Sequence, residues 1–329
     1  MGAFANAFGP HAPADTYVAH AFEERSFDTG EVELNYVSAG VSAGSVSAGS
    51  PDRPALLLIP GQTESWWGYE AALPLLAEHF QAYAVDLRGQ GRSSRTPGRY
   101  TLDNIGNDLV RFIDGVIGRP TIVAGLSSGG VISAWLSAYA RPDQVVAAYY
   151  EDPPLFASEI RPAVGQGIGQ CIGPLFAHMA KYLGDQWSIG DWEAMVAAIP
   201  TELPARLGFI AGLMGMAAEP GQSLKEYDPE WGRAFWSGSF YASCPHEQLL
   251  ASVKVPVLFT HHFRVVDEAS GALMGAISDL QVARVRELVT EAGNAFEYVS
   301  FPEMGHSMHG QDPQRYVDTL SEWARGLPR

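Results

Sequence analysis

The sequence predicts an α/β fold: a mostly parallel sheet with helices on both faces and a helical cap inserted between two halves of that sheet. Three observations carry this expectation. Short apolar runs rich in β-branched residues alternate with helix-length stretches, the rhythm of strand–helix–strand units. The runs are apolar nearly throughout, as strands covered on both faces must be. From about residue 153 to 250 the rhythm stops and gives way to helices broken by Gly and Pro, with no convincing strand.

In chain order, an extension of residues 1–30 precedes a first strand at Val32–Val37 and a second, compact apolar one at Ala55–Ile59. Between them VSAG occurs three times, at Val37–Gly40, Val41–Gly44 and Val46–Gly49. Small residues with no apolar face predict a flexible hairpin loop there. A Pro/Gly loop leads to a helix over Tyr69–Phe80, a strand at Ala82–Asp86 and an amphipathic helix over Leu102–Ile117. Thr121–Leu126 reads as strand, Gly129–Ala140 as helix and Val145–Tyr150 as strand. After the cap the sheet restarts at Val255–Thr260, followed by a helix over Gln281–Ala292, a last strand at Ala295–Phe301 and a final helix from Pro313 to Gly326. The expected organisation is therefore a core of residues 31–152 and 251–329 with a cap of residues 153–250.

Composition narrows the function classes. The 329 residues are 47% hydrophobic and 18% charged, which supports a sizeable core rather than disorder. A net charge of −16 repels phosphate backbones and anionic head groups, so neither nucleic acid nor a membrane surface is an expected partner. No apolar run of about 18 residues suggests a membrane span. The first twenty residues lack the basic start and apolar stretch of a secretory signal, so a cytoplasmic location is expected. Cys171 and Cys244 form neither a CxxC nor a Cys/His metal spacing and read as buried or incidental thiols. Adjacent His261 and His262 point to opposite faces of an extended segment, so no metal and no cofactor is expected.

The chemistry-bearing segment is Thr121-Ile-Val-Ala-Gly-Leu-Ser-Ser-Gly-Gly130, which contains Gly125-x-Ser127-x-Gly129 between a strand and a helix. A serine on so tight a turn has strained backbone geometry, and its neighbours must be small. The helix beginning there aims its N–H groups at the site and favours developing negative charge. Ser127 is the expected nucleophile.

With this elbow the chain resembles the α/β-hydrolase family, over about residues 31–326. Four further features carry the resemblance: Leu57-Leu-Ile-Pro-Gly61, Asp86-Leu-Arg-Gly-Gln-Gly-Arg-Ser93, Phe301-Pro-Glu-Met-Gly-His306, and the position of the cap. It implies His306 as general base, in a loop between the last strand and last helix. His309, three residues on, reads as a pocket or surface residue. The acid departs from the common pattern, because no carboxylate follows the post-cap strand until Asp267. Tyr150-Glu151-Asp152-Pro153 offers the family's other slot, with Glu151 24 residues beyond Ser127. Glu151 is the first choice, with Asp267 and Asp152 as alternatives. The backbone N–H groups of Ser128 and Gln62 are the expected oxyanion hole, Gln62 following Pro60-Gly61 where the family usually has His-Gly.

Substrate size is read from the cap, which holds Trp187, Trp192, Trp231 and Trp236 with Met179, Met195, Met214 and Met216. A Trp/Met-rich lid suggests a roomy apolar pocket, with Gly61, Trp66, Trp187 and Trp192 as expected substrate contacts. The segments Gly184–Trp192, Leu224–Phe235, Leu102–Phe112 and Ser278–Gln281 are similar to those of the bacterial zearalenone hydrolases. That resemblance implies cleavage of the macrocyclic ester of a resorcylic acid lactone by a cofactor-free acyl-enzyme route, after which the opened acid can lose carbon dioxide. Its small-molecule partner would be a hydrophobic lactone or ester, and a homodimer is implied by resemblance alone. Two other readings stand beside it: a general carboxylesterase or different lactonase, and a ligand-binding receptor on the same fold. A serine at position 127 argues against epoxide hydrolase or dehalogenase chemistry, which needs aspartate there.

Overall fold

The computed structural model describes residues 19–40, 53–161, 164, 168–183, 191–203, 207, 222–266, 268 and 271–327. Its main sheet has eight strands: β1 (Arg25–Asp28), β2 (Glu33–Ala39), β3 (Ala55–Ile59), β4 (Gln81–Val85), β5 (Thr121–Leu126), β6 (Val145–Glu151), β7 (Val257–His261) and β10 (Phe296–Ser300). They are ordered β1-β2-β4-β3-β5-β6-β7-β10. β1 and β2 are antiparallel to their neighbours, and every pairing from β4 to β10 is parallel. The mostly parallel α/β architecture is as expected.

Strand periodicity divides the core between the two faces. Leu57, Val123, Tyr150 and Phe259 join one buried cluster, while Leu56, Leu58, Ala124, Tyr149 and Leu258 join the other. The helix Leu102–Phe112 starts at Thr101, whose side chain accepts from the Asn104 N–H, and runs into a looser turn that ends at Gly118. Gly106 lets it approach the next helix closely, since a Cβ there would lie 2.1 Å from the Trp135 ring.

Four expectations are corrected. The extension expected over residues 1–30 does not lie wholly outside the sheet, because Arg25–Asp28 pair as β1 with β2. The segment after β2 is not a hairpin: β2 pairs with β4, and β3 lies on the far edge of β4. The repeats beyond Gly40 lie outside the described residues. The single helix expected over Tyr69–Phe80 is instead a tight turn of helix at Trp66–Tyr69 and a short helix at Leu73–Leu76. Pro74 lies at the start of the second piece, where its missing N–H is harmless, and a helix running through it would lose a hydrogen bond. Finally, a small antiparallel pair, β8 (Arg264–Val266) with β9 (Leu273–Gly275), follows β7. Strands of three residues are too short to leave a periodic signal.

Between β6 and β7 the secondary-structure elements among the described residues are helices, including Ile168–Tyr182, Trp192–Glu202 and Pro229–Ser237. The last of these is tied to the loop after β4. Trp231 donates its indole N–H to the Arg88 carbonyl at 2.6 Å, and the Asp228 N–H bonds the Gly89 carbonyl at 2.9 Å. The Asp228 carboxylate accepts from the Tyr100 hydroxyl. Among the described residues no helix is long and apolar enough to cross a membrane.

Candidate active site

Ser127 lies between β5 and the helix Ser128–Tyr139 with φ 54° and ψ −122°, conformational space that a side chain enters at a cost. Two contacts fix the turn: the Ser127 N–H donates to the Glu151 carbonyl at 2.9 Å, and Gly130 N–H returns to the Ser127 carbonyl at 2.9 Å. The flanking glycines are required by packing. A Cβ on Gly125 would lie 2.1 Å from the Gly129 carbonyl oxygen, and one on Gly129 would lie 2.3 Å from that of Ile59.

Ser127, Asp152 and His306 line one cavity of about 660 Å³. His306 Nδ1 is 2.7 Å from Asp152 Oδ2; the imidazole is 48% exposed and the carboxylate 2%. That asymmetry gives the pair its direction, a buried carboxylate orienting an imidazole that faces the cavity. Packing around the His306 ring works against its charged form. The hydrogen bond and charge of Asp152 outweigh that and raise its pKa above the ordinary value. Burial works against the ionised Asp152 as well, yet His306 and His262 hold its pKa below the usual carboxylate value. The second oxygen of Asp152 accepts from the His262 N–H at 3.1 Å, and the His262 ring hydrogen-bonds the Gly305 carbonyl at 2.9 Å. His262 thus braces the loop that carries His306.

Glu151, the first choice of acid, is not brought to His306. Its carboxylate is 2.8 Å from His309 Nδ1 and accepts from the backbone N–H groups of Met308 and His309 at 2.7 and 3.2 Å. Glu151 ends β6 on the face that also carries Tyr149, whereas Asp152 lies one residue past the strand with φ 42° and turns to His306. His309 is correspondingly neither a surface nor a pocket residue. It is fully buried, stacked on Tyr69 with ring centroids 3.9 Å apart. The third candidate, Asp267, lies outside the described residues.

The loop Pro60–Glu64 packs against the serine, with the Gly61 Cβ position 3.2 Å from Ser127 Cβ. Ser128 is the first residue of its helix, so its N–H has no partner within the helix. The Gln62 side chain reaches across to the cap and donates to the Tyr227 hydroxyl at 2.6 Å. Gln62 also lines the cavity.

Of the expected tryptophan contacts, the two that lie among the described residues are not part of the cavity lining. Trp66 is fully buried outside the cavity lining, donating its indole N–H to Glu24 at 2.8 Å and its backbone N–H to Asp86 at 2.8 Å. Trp192 packs into the cap core, and Trp187 lies outside the described residues. The apolar wall is formed instead by Ile172, Phe176, Phe235, Phe263 and Met274. Glu64 is a polar lining residue that sequence reasoning missed, although its place three residues after Gly61 was a usable signal. A hydroxyl, an imidazole held by a buried carboxylate, and a backbone-lined corner in one cavity can support nucleophilic acyl transfer.

The alpha/beta hydrolase family profile matches residues 56–319. Among curated proteins, the chain is similar to 3-oxoadipate enol-lactonase 2 of Acinetobacter baylyi, 30% identical over 122 residues, which is 36% of this chain and 42% of that protein. It is also similar to epoxide hydrolase 1 of Caenorhabditis elegans, 28% identical over 130 residues, 39% of this chain and 30% of the relative. The match therefore spans less than half the length of either relative. Among solved structures, the enol-lactonase from Burkholderia xenovorans superposes with a TM-score of 0.60 at 16% identity, covering 92% of this chain and all of that one (100%). An E-2-(acetamidomethylene)succinate hydrolase gives 0.62 at 17%, covering 93% and 100%. At these identities the likeness establishes the fold.

Proposed function

The chain belongs to the alpha/beta hydrolase family, and from that premise we propose that it is a serine ester hydrolase acting on a hydrophobic lactone, most specifically one of the zearalenone type. The observation that carries the reading is the left-handed Ser127 sharing a cavity with His306, whose Nδ1 is held by buried Asp152.

In this mechanism Ser127 Oγ attacks the ester carbonyl while His306 Nε2 takes its proton. Asp152 keeps the other ring proton on Nδ1, so that Nε2 is free to accept. The Ser128 and Gln62 N–H groups receive the charge that develops on the carbonyl oxygen. As the carbonyl–oxygen bond breaks, His306 returns the proton to the departing oxygen, which in a lactone stays tethered to the acyl group. Water, deprotonated by His306, then attacks the acyl-enzyme; its collapse frees Ser127 and releases a hydroxy acid.

Three points support a lactone or bulky ester. The cavity volume suits a drug-sized molecule. Its wall is predominantly apolar, with Ser223, Ser307 and Gln311 adding polar groups beyond the reacting corner. An enol-lactonase is among the relatives, and the cap segments resemble those of the zearalenone hydrolases. Epoxide hydrolysis does not carry over from the other relative: a serine opening an epoxide would form an ether, which water cannot release, whereas a carboxylate forms a hydrolysable ester.

The test is mass-spectrometric analysis of products after incubation with zearalenone, with Ser127→Ala as control. The ring-opened acid is expected with the wild type alone. Turnover of simple esters with zearalenone left intact would retain the hydrolase and reject the lactone.

A further inference from the structure

The turn Gly61–Glu64 is held in a conformation it would not adopt freely. Glu64 N–H donates to the Gly61 carbonyl at 3.3 Å, and Thr63 has φ 65°, a left-handed geometry that a β-branched residue adopts only under constraint. The constraint is visible. Glu64 Oε2 accepts from the Gly61 N–H at 3.2 Å, so one residue grips Gly61 by both its N–H and its carbonyl. The same carboxylate oxygen is 3.9 Å from His309 Nε2. His309 is in turn fixed by Glu151 at 2.8 Å and by stacking on Tyr69. Ser307 Oγ lies 3.3 Å from the same ring nitrogen.

Glu151 and Asp152 thus feed two histidines three residues apart. Asp152 serves His306, and Glu151 serves His309, which faces the oxyanion loop through Glu64. We propose that Glu64 is a positioning residue for the oxyanion hole, clamped by the buried Glu151–His309 pair so that the Gln62 N–H stays aimed beside Ser127. An oxyanion donor contributes only when it is fixed before charge develops. If the clamp is removed, Thr63 can relax out of its left-handed conformation and turn the Gln62 peptide away. Burial raises the Glu64 pKa, and the nearby His309, when charged, works against that rise.

The inference rests on the reading of Ser127 as nucleophile, and the experiment separates the two. The rate of Ser127 labelling by a fluorophosphonate, with kcat and KM for 4-nitrophenyl butyrate, is compared in wild type, Glu64→Ala and Glu64→Gln. Glu64→Ala should lose about 100-fold in kcat and in labelling rate, with KM within threefold, as expected for a misplaced oxyanion donor. Glu64→Gln has the same size and keeps an acceptor for the Gly61 N–H. It guards against a folding defect and should recover about tenfold of that loss. An active wild type whose Glu64→Ala variant keeps its kcat, or whose defect lies in KM alone, overturns the positioning role and makes Glu64 a spectator or a substrate contact. An inert wild type that labels nowhere overturns the hydrolase reading and this inference with it.

Discussion

Replacing Asp152 by Asn separates the acid the fold presents to His306 from the one a reader of the sequence would choose. The amide keeps the size of the side chain, and its oxygen can still accept from the His262 N–H, now 3.1 Å from Asp152 Oδ1. What it cannot do is accept from His306 Nδ1, at present 2.7 Å from Oδ2. With an NH2 group facing it, the ring settles with Nδ1 bare and the proton on Nε2, the tautomer that cannot take the serine proton. The corresponding change in a serine protease triad lowers kcat about 10⁴-fold, or about 5.4 kcal/mol in the barrier. Glu151→Gln acts elsewhere. It leaves His309 buried beside a neutral amide, a change costing about 3–5 kcal/mol of stability where a buried pair is broken. Its effect on kcat should stay near tenfold, through the oxyanion loop. The assay is kcat on 4-nitrophenyl butyrate at a temperature where circular dichroism shows every variant folded. A folded Glu151→Gln that is 10⁴-fold slower, beside an Asp152→Asn within tenfold of wild type, would refute the pairing.

Three other outcomes are expected. Because only neutral His306 can act as base and Asp152 raises its pKa above 6.5, kcat/KM should fall with decreasing pH through a midpoint above 6.5. The residual activity of Asp152→Asn should show that midpoint moved to lower pH, and an unmoved midpoint would remove Asp152 as its cause. Gly129→Ala should fail to accumulate as folded protein or should lose Ser127 labelling, because its Cβ would press on the Ile59 and Pro60 carbonyl oxygens at 2.3 and 2.7 Å. His246 is fully buried, accepts from the Phe156 N–H at 2.8 Å, and burial pushes its pKa down to about 3. The unfolded chain then binds a proton that the folded chain refuses, so stability is lost as pH falls from about 6.5 toward 3, at about 1.4 kcal/mol per pH unit. Urea titrations across that range should show a shallower loss in His246→Gln.

How much of this was legible in the sequence depends on whether the signal was local. The elbow was legible because its demands are short-range: a β-branched strand, small residues around Ser127 and a helix directly after it. The strands from β3 to β7 could be read because burial on both faces leaves continuous apolar runs. β8 and β9 left none, and Pro74 broke a helix that periodicity alone would have drawn unbroken. The tryptophans misled in a different way. Tryptophans mark large buried volume, and Trp66 and Trp231 do fill it, but as struts bonded to Glu24 and to the Arg88 carbonyl.

The acid shows most clearly where local reasoning stops. Glu151 and Asp152 are chemically near-equivalent and adjacent, and in sequence His306 reads as the base while His309 has no partner assigned. Which of the two adjacent carboxylates meets His306 was open, and nothing within the segment chooses between them. The choice is made by the sheet. At the carboxyl end of β6, alternation sends Glu151 to the face where Tyr69 and Tyr316 pack, and His309 arrives there because the short helix Met308–Gln311 turns it inward. Asp152, one residue past the strand with φ 42°, meets His306 in the loop before that helix. A one-residue shift in β6 would carry Glu151 into the place of Asp152 and Tyr150 into the place of Glu151, leaving His309 without its carboxylate. Specificity of this kind belongs to the register of the whole sheet.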